Sequence, residues 1–189
     1  MREPPIVGVL LAAGSATRFG ADKLLATLPT GSRVAAAALR SLAAAVDHVV
    51  VVLRPGDAAL TDLLREQGPR LTACAEAAEG MGASLAWGVR AAPLAAAWVI
   101  ALADMPWVHS ETIAAVVTAL RAGAPLAAPA YRGRRGHPVG FAAAFYPELT
   151  VLRGDEGAKS VLAAHPVRLV DVEDAAVLQD VDTPADLGR

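Results

Sequence analysis

Short apolar runs of strand character alternate with alanine-rich helical segments for most of the chain, and this alternation limits the fold more than any other feature. The runs cover residues 6–12, 48–53, 70–74, 98–103, 126–130 and 167–172, and the helical segments lie near 33–45, 57–67, 83–92, 110–121 and 158–164. Continuously apolar strands with helices between them belong to a mainly parallel sheet covered on both faces. The class is therefore α/β. Hydrophobic residues fill 54% of the 189 positions but aromatic ones only 4%, so the layers should pack through thin helices and not around large anchors. Punctuation agrees: Ser110 stands where a helix N-cap belongs, and Gly123 follows that helix as a stop. No linker, composition shift or repeat divides the sequence, which reads as one domain over 1–189.

A mean hydropathy of +0.42 raises the question of a membrane. No apolar run reaches the roughly 20 residues that a spanning helix needs. The first run leads instead to Arg18, Asp22 and Lys23. Arg2 is offset by Glu3 and followed by Pro4-Pro5, which is not the start of a secretory signal. The expectation is a cytoplasmic protein with no membrane partner. A single cysteine, Cys74, excludes an internal disulfide and a cysteine-built metal site. The net charge of −2, from 17 basic and 19 acidic residues, gives no general attraction for nucleic acid. Cations matter where they cluster: at Arg18 with Lys23, and at Arg132 with Arg134 and Arg135.

Open α/β sheets bind ligands beyond the carboxyl ends of their strands. After the first strand comes Ala12-Ala13-Gly14, then Arg18, Gly20 and Lys23. Small residues let the backbone approach a phosphate, successive N–H groups can cradle it, and the two cations add charge. This is not a P-loop, since Leu24 follows Lys23, nor a dinucleotide fingerprint, since Gly14 is followed by Ser15-Ala16-Thr17-Arg18-Phe19. After the fourth strand, Asp104-Met105-Pro106 puts a carboxylate where the chain must leave the sheet. Mg²⁺ takes one or two such oxygens and leaves the rest to water and phosphate. Near the C-terminus, Asp180-Val181-Asp182-Thr183-Pro184 offers a second carboxylate in Asp182, with Thr183 and Pro184 starting a helical turn. Glu79-Gly80-Met81-Gly82-Ala83-Ser84 is a glycine-rich helix entry that either binds nucleotide through Gly80, Gly82 and Ser84 or caps its own helix. Residues 132–138 read as a polar hairpin or loop, and Arg134 and Arg135 are candidate clamps for an anionic acceptor.

The first loop resembles the N-terminal signature of nucleotidyltransferases: Ala-Ala-Gly, three residues, Arg, an apolar residue, Gly, two residues, Lys. With Gly80-Met81-Gly82-Ala83-Ser84, Asp104-Met105-Pro106, Gly136-His137-Pro138 and Asp180-Val181-Asp182-Thr183-Pro184, nearly the whole chain is similar to the molybdopterin nucleotidyltransferases. Ala12-Ala13-Gly14 and Gly136-His137-Pro138 resemble the branch that uses CTP, where the guanylyltransferases carry a second glycine. The chain departs from the pattern at Cys74-Ala75, where Asn-Pro is common, at Gly31-Ser32-Arg33, and at Phe19 in place of Met.

The resemblance implies a three-layer α/β/α Rossmann-like nucleotidyltransferase fold with a mainly parallel sheet. It implies Arg18, Lys23 and Asp104 as catalytic residues, with Mg²⁺ on Asp104 and Asp182. Nucleotide would lie against Ala12, Ala13, Gly14, Gly80, Gly82 and Ser84, and the acceptor against Arg134, Arg135, His137 and Lys159. The implied substrates are CTP and molybdenum-bound molybdopterin, with a client molybdoenzyme or its chaperone downstream. A phosphate nucleophile is already ionised at neutral pH, so the absence of a Ser-His-Asp or Cys-His set fits. Rival readings are a nucleotidyltransferase using GTP or a sugar or alcohol phosphate, and a non-catalytic nucleotide- or pterin-binding accessory protein. An NAD-binding oxidoreductase would need the glycine pattern that is lacking here.

Overall fold

The computed structural model describes residues 3–14 and 22–188. Strands β1 (Ile6–Leu11), β2 (His48–Leu53), β3 (Arg70–Ala73) and β4 (Ala97–Leu102) are parallel in the order β3-β2-β1-β4. Beyond β4 the sheet reverses once. Strand β7 (Val139–Ala142) is antiparallel to β4, and β5 (Leu126–Tyr131) is antiparallel to β7. The far edge of β5 carries β8 (Arg168–Asp171) in parallel. The short β6 (Arg134–Arg135) pairs with β5 next to β7, closing a tight hairpin through Arg132 and Gly133, both at positive φ. The sheet is mixed and mostly parallel, flanked by helices, which is the α/β class.

Helices α1 (Val34–Ala43), α2 (Ala58–Arg65) and α4 (Ser110–Arg121) cover one face, where Leu39, Leu42, Leu60, Leu64, Val116 and Leu120 meet Leu10, Val51 and Val99. The other face takes α3 (Met81–Arg90), α5 (Tyr146–Leu149) and α6 (Lys159–Ala164), with Leu85, Val89, Leu149 and Val161 against Val9, Val52, Trp98 and Phe141. Successive residues of β1 fall into opposite clusters, as the two-residue strand period requires. No described helix is long and apolar enough to cross a membrane.

The break at residues 132–138 is the β5–β6 hairpin, and two details differ from the sequence reading. Strands β6 and β7 carry no strand signal in the sequence. They are too short for a periodic signal, and Gly140 in β7 lies where a Cβ would be 2.6 Å from Leu120 Cδ1 of the covering helix. Ser110 is the first residue of α4, not its cap, and its hydroxyl turns to Glu111 Oε2 at 3.2 Å. The capping oxygen comes from the buried Asp174, whose Oδ2 accepts from His109 N at 2.9 Å and from Thr112 Oγ1 at 2.8 Å. Gly123 does end α4 as expected, at φ +89 and with its N–H on Leu120 O at 2.9 Å.

Gly88 shows how closely the thin helices sit on the sheet. A Cβ there would collide with Val9 Cγ1 and lie 2.8 Å from Val52 Cγ2. Helix propensity alone predicts that Gly88→Ala gains about 1 kcal/mol. Packing against β1 and β2 reverses the sign, and the expected outcome is a loss of about 1–3 kcal/mol. Urea unfolding of the two proteins measures it, and a more stable Gly88→Ala variant would refute the close helix–sheet contact.

Candidate functional site

Three chain segments meet at the carboxyl end of the parallel strands. From β1 the chain passes Ala12 and Ala13, both buried, to the exposed Gly14. Ala12 N still donates to Val52 O at 2.9 Å, so the sheet fixes the exit of this loop. Residues 15–21, with Arg18 among them, lie outside the described residues. The chain is described again at Asp22, whose Oδ1 accepts from Leu24 N at 3.1 Å and caps a 3₁₀ turn, Lys23–Leu25. That turn presents Lys23. From β4 comes Asp104, one turn beyond the strand, with Met105 N on Leu102 O at 3.2 Å. The third segment is the C-terminal strap, residues 174–182. It is held by Asp174 on α4, by His137 N donating to Val177 O at 2.9 Å, and by Val181 N donating to Asp104 O at 2.8 Å. Gly136 is required for this approach, because a Cβ there would collide with Val177 O.

Lys23 Nζ donates to Asp104 Oδ2 at 2.7 Å and reaches Asp182 Oδ1 at 3.5 Å. The lysine and Asp104 side chains are only 15% and 22% exposed, against 49% for Asp182, so the shorter bond is also the better shielded one. Burial works against the ammonium, but the hydrogen bond and charge of Asp104, helped by Asp182, outweigh it and hold Lys23 above its ordinary pKa. Asp180 stands close by. Burial, then the charges of Asp182 and Asp104, push its carboxyl up.

These residues fit a hard divalent cation. Two carboxylates converge on one point that already holds a positive charge. Among the described residues no group of three or more His, Cys, Asp and Glu could hold a metal, so water and phosphate oxygens would have to complete the shell. That division of ligands is the habit of Mg²⁺.

Beside this centre lies a cavity of about 270 Å³ between β1, β4, β7, α3 and α6. Its walls are apolar, with Leu11, Ile100, Leu102, Phe141 and Leu162, and Arg135, His137 and Lys159 bring polar atoms to it. Three of the four acceptor candidates therefore come together. Arg134 does not join them, because it precedes Arg135 on β6 and successive strand residues face opposite sides. Asp155 and Glu156, which the sequence reading did not single out among the acceptor residues, also line the cavity. The His137 Nδ1 atom is buried with no hydrogen-bond partner among the described residues. Burial lowers the imidazole pKa, opposed by the charge of Asp104 and assisted by Arg135. The ring is thus neutral near pH 7, with one nitrogen still to be satisfied.

The Gly80-Met81-Gly82 entry has a structural partner. Gly82 N donates to Gly154 O at 2.7 Å. A Cβ on Gly80 would collide with Asp155 Oδ1, and one on Gly82 would lie 2.5 Å from Arg153 O. Both glycines thus seat the loop that walls the cavity. Ser84 is buried, with its hydroxyl 3.5 Å from Gly80 O, too long a contact to fix it strongly. A larger concavity of about 650 Å³ lies at the opposite, amino end of the strands, beside Pro5, His48 and Arg70. It lacks a converging cation and carboxylate pair and is at the wrong end of the sheet for catalysis.

Known proteins resemble the chain along nearly its whole length. Residues 8–169 match the family model described as the MobA-like NTP transferase domain. The purine catabolism protein PucB of Bacillus subtilis is 32% identical, across 97% of this chain and 95% of its own. The nicotine blue oxidoreductase of Paenarthrobacter nicotinovorans is 31% identical, across 98% and 96%. Among solved structures, Rv0371c of Mycobacterium tuberculosis superposes with a TM-score of 0.87 at 29% identity, covering 98% of this chain and 96% of its own. The same protein has also been crystallised as a complex with manganese. With a family model spanning most of its length and two near-full-length relatives, the chain belongs to the MobA-like NTP transferase family.

Proposed function

We propose that the protein is a magnesium-dependent nucleotidyltransferase that moves CMP from CTP onto the terminal phosphate of molybdenum-bound molybdopterin and releases pyrophosphate. The observation that carries this reading is the Lys23 ammonium between Asp104 and Asp182, at the carboxyl end of the sheet. When bound, the metal supplies positive charge to the triphosphate. Asp104 and Asp182 hold it, and Arg18 and Lys23 take the phosphate oxygens. Ala12, Ala13 and Gly14 lie beneath the nucleotide, with Gly80, Gly82 and Ser84 on the side towards α3. A terminal phosphate oxygen of the acceptor attacks the α-phosphorus in line, the new O–P bond forms, and the α–β bridging bond breaks with its electron pair leaving on pyrophosphate. No proton has to be removed, so the neutral His137 serves as a binding group. Catalysis is positioning plus charge stabilisation.

The acceptor is assigned to the cavity, through Arg135, His137 and Lys159. Its apolar walls suit the flat ring system of a pterin. A small sugar or erythritol phosphate would leave Leu11, Ile100 and Phe141 without an apolar partner. Arg134, on the other face of β6, is left without an acceptor contact. The product would pass to a client molybdoenzyme or its chaperone in the cytoplasm.

The name of the Paenarthrobacter relative favours testing a second reading, an oxidoreductase. Against it stands the first loop, which has no dinucleotide glycine pattern. One assay separates the readings: pyrophosphate release and NADH oxidation are followed with molybdenum-loaded pterin, CTP, Mg²⁺, NADH and a reducible quinone-type dye as electron acceptor. The nucleotidyltransferase releases pyrophosphate and leaves NADH untouched. NADH oxidation without pyrophosphate refutes the proposal, and binding with neither activity points to an accessory protein.

Asp104→Asn and Asp182→Asn keep side-chain volume while removing a metal charge, and each is expected to lower pyrophosphate release by about a hundredfold or more. The double variant should lose less than the sum of the two, because both carboxylates serve one cation. Near-normal turnover of Asp104→Asn at saturating Mg²⁺ would remove it from the metal site.

The choice of CTP over GTP rests on Ala12-Ala13-Gly14 and on Gly136-His137-Pro138. Both alanine methyls are packed in the protein, Ala13 on the α3 face near Leu85 and Cys74. Their effect on the base is therefore through a backbone less free than a Gly-Gly pair. Such a restriction supplies only about 1–3 kcal/mol of discrimination. In direct competition for one acceptor, CTP should win by roughly 10- to 200-fold in kcat/KM, and Ala13→Gly should narrow the gap. Equal use of both nucleotides would end the cytidylyltransferase assignment and leave nucleotidyl transfer intact.

A further inference from the structure

We infer that Lys23 is the resident cation of the Asp104–Asp182 pair in the nucleotide-free protein and keeps a free divalent metal out until a triphosphate draws the ammonium away. The inference rests on the reading that these two carboxylates hold the metal. Lys23 Nζ lies 2.7 Å from Asp104 Oδ2 and 3.5 Å from Asp182 Oδ1, so it occupies the space between the two carboxylates that would hold the metal. Among the described residues no other Lys or Arg pairs with either carboxylate. A metal arriving alone must break a short, shielded ion pair and then share the site with a displaced ammonium. Like charges at that range in a half-buried place repel strongly. A triphosphate changes both sides of the exchange. It offers the lysine new oxygens, which its flexible four-carbon stem can reach, and it carries its own metal. Lys23 therefore does two jobs in sequence, as counter-ion before binding and phosphate ligand after it. Metal and nucleotide should bind with strong positive coupling, which is reciprocal by linkage.

The same exchange gives Asp182 a purpose in the empty site. Its carboxylate is half exposed and its contact with Lys23 is long, so it is the easier partner to give up. Asp104, at 2.7 Å, keeps the lysine in register until the phosphates take over.

The test is Mn²⁺ titration of the whole, nucleotide-free protein, followed by loss of the free-ion electron paramagnetic resonance signal. Lys23→Met removes the charge and keeps an unbranched stem. It should bind Mn²⁺ about tenfold or more tightly than the native protein, Lys23→Gln should do the same, and Lys23→Arg should stay weak. Asp104→Asn added to Lys23→Met should abolish the gain. Thermal unfolding checks that each variant is folded, and in the native protein Mn²⁺ should raise Tm only together with CTP. Mn²⁺ affinity of folded Lys23→Met and Lys23→Gln within twofold of the native protein overturns the inference. If CTP still recruits Mn²⁺ to the native protein in an Asp104-dependent way, the metal site survives that result. If Asp104→Asn has no effect on Mn²⁺ in any state, the metal site falls with the inference.

Discussion

The Lys23–Asp104 bond is the point on which the candidate site depends, because it joins two loops that the sheet alone would leave independent. Strands β1 and β4 are direct neighbours, in register from Ile6 with Ala97 to Leu11 with Leu102. Their loops therefore leave the sheet side by side. Adjacency brings backbones to within a few ångströms of each other, and it does not by itself hold side chains in place. A cation between two half-buried carboxylates does, since each charge would otherwise face the cost of partial desolvation unpaired. The contact is worth more to geometry than to stability, in keeping with the modest net value of partly exposed ion pairs. Its value is that it fixes the Lys23 loop against the Asp104 loop, the geometry on which the proposed phosphate and metal contacts rest.

Asp182 reaches that point from far along the chain through a segment with little regular structure. The strap has two buried valines, Val177 and Val181, and short 3₁₀ turns at Ala175–Leu178 and Pro184–Gly188. So few buried groups cannot order it alone, and backbone hydrogen bonds at fixed places do the rest. Asp174 makes two bonds to the start of α4, Val177 O takes one from His137, and Val181 N gives one to Asp104 O. Asp186 steadies the end, accepting from Thr183 N at 2.8 Å and Asp182 N at 3.2 Å. Asp182 is thus tied to the loop of Asp104 by main-chain geometry as well as through Lys23.

What could be read from the sequence follows from which signals are local. The parallel strands were legible because each is a continuous apolar run, and Lys23 and Asp104 because each sits in a motif just beyond one. The capping of α4 was not. Ser110 satisfies the local rule, but a carboxylate from 65 residues away, Asp174, makes the bonds, and no local pattern records that. The two glycines before α3 look like a phosphate cradle for the same reason. Glycine at a helix start signals close approach without saying whether a ligand or a distant loop approaches, and here the Arg153–Gly154 backbone and the Asp155 carboxylate lie against the pair. Arg134 and Arg135 were indistinguishable until β6 was known to be a strand. The two-residue period then sent one arginine to the cavity and the other away from it.

The reversal of β7 is what places His137 and the cavity beside Asp104 and Asp182. In a parallel strand next to β4, the first residues would lie at the amino end of the sheet, far from Asp104. Running antiparallel, β7 pairs Val139 with Ile100 and Ala142 with Ala97, so it begins at the carboxyl end of β4. The residues that lead into it, Gly136 and His137, are therefore delivered to the level of the Asp104 loop. The same reversal faces Val139 and Phe141 towards α3 and α6, on the side where Leu11 and Ile100 also point. A chamber with largely apolar walls forms there, and Arg135, His137, Asp155, Glu156 and Lys159 also line it. The parallel half of the sheet thus supplies the charges and the reversed half the apolar room beside them. In the proposed reading, nucleotide chemistry and acceptor binding are divided between parts of the sheet that share one edge, β4 against β7.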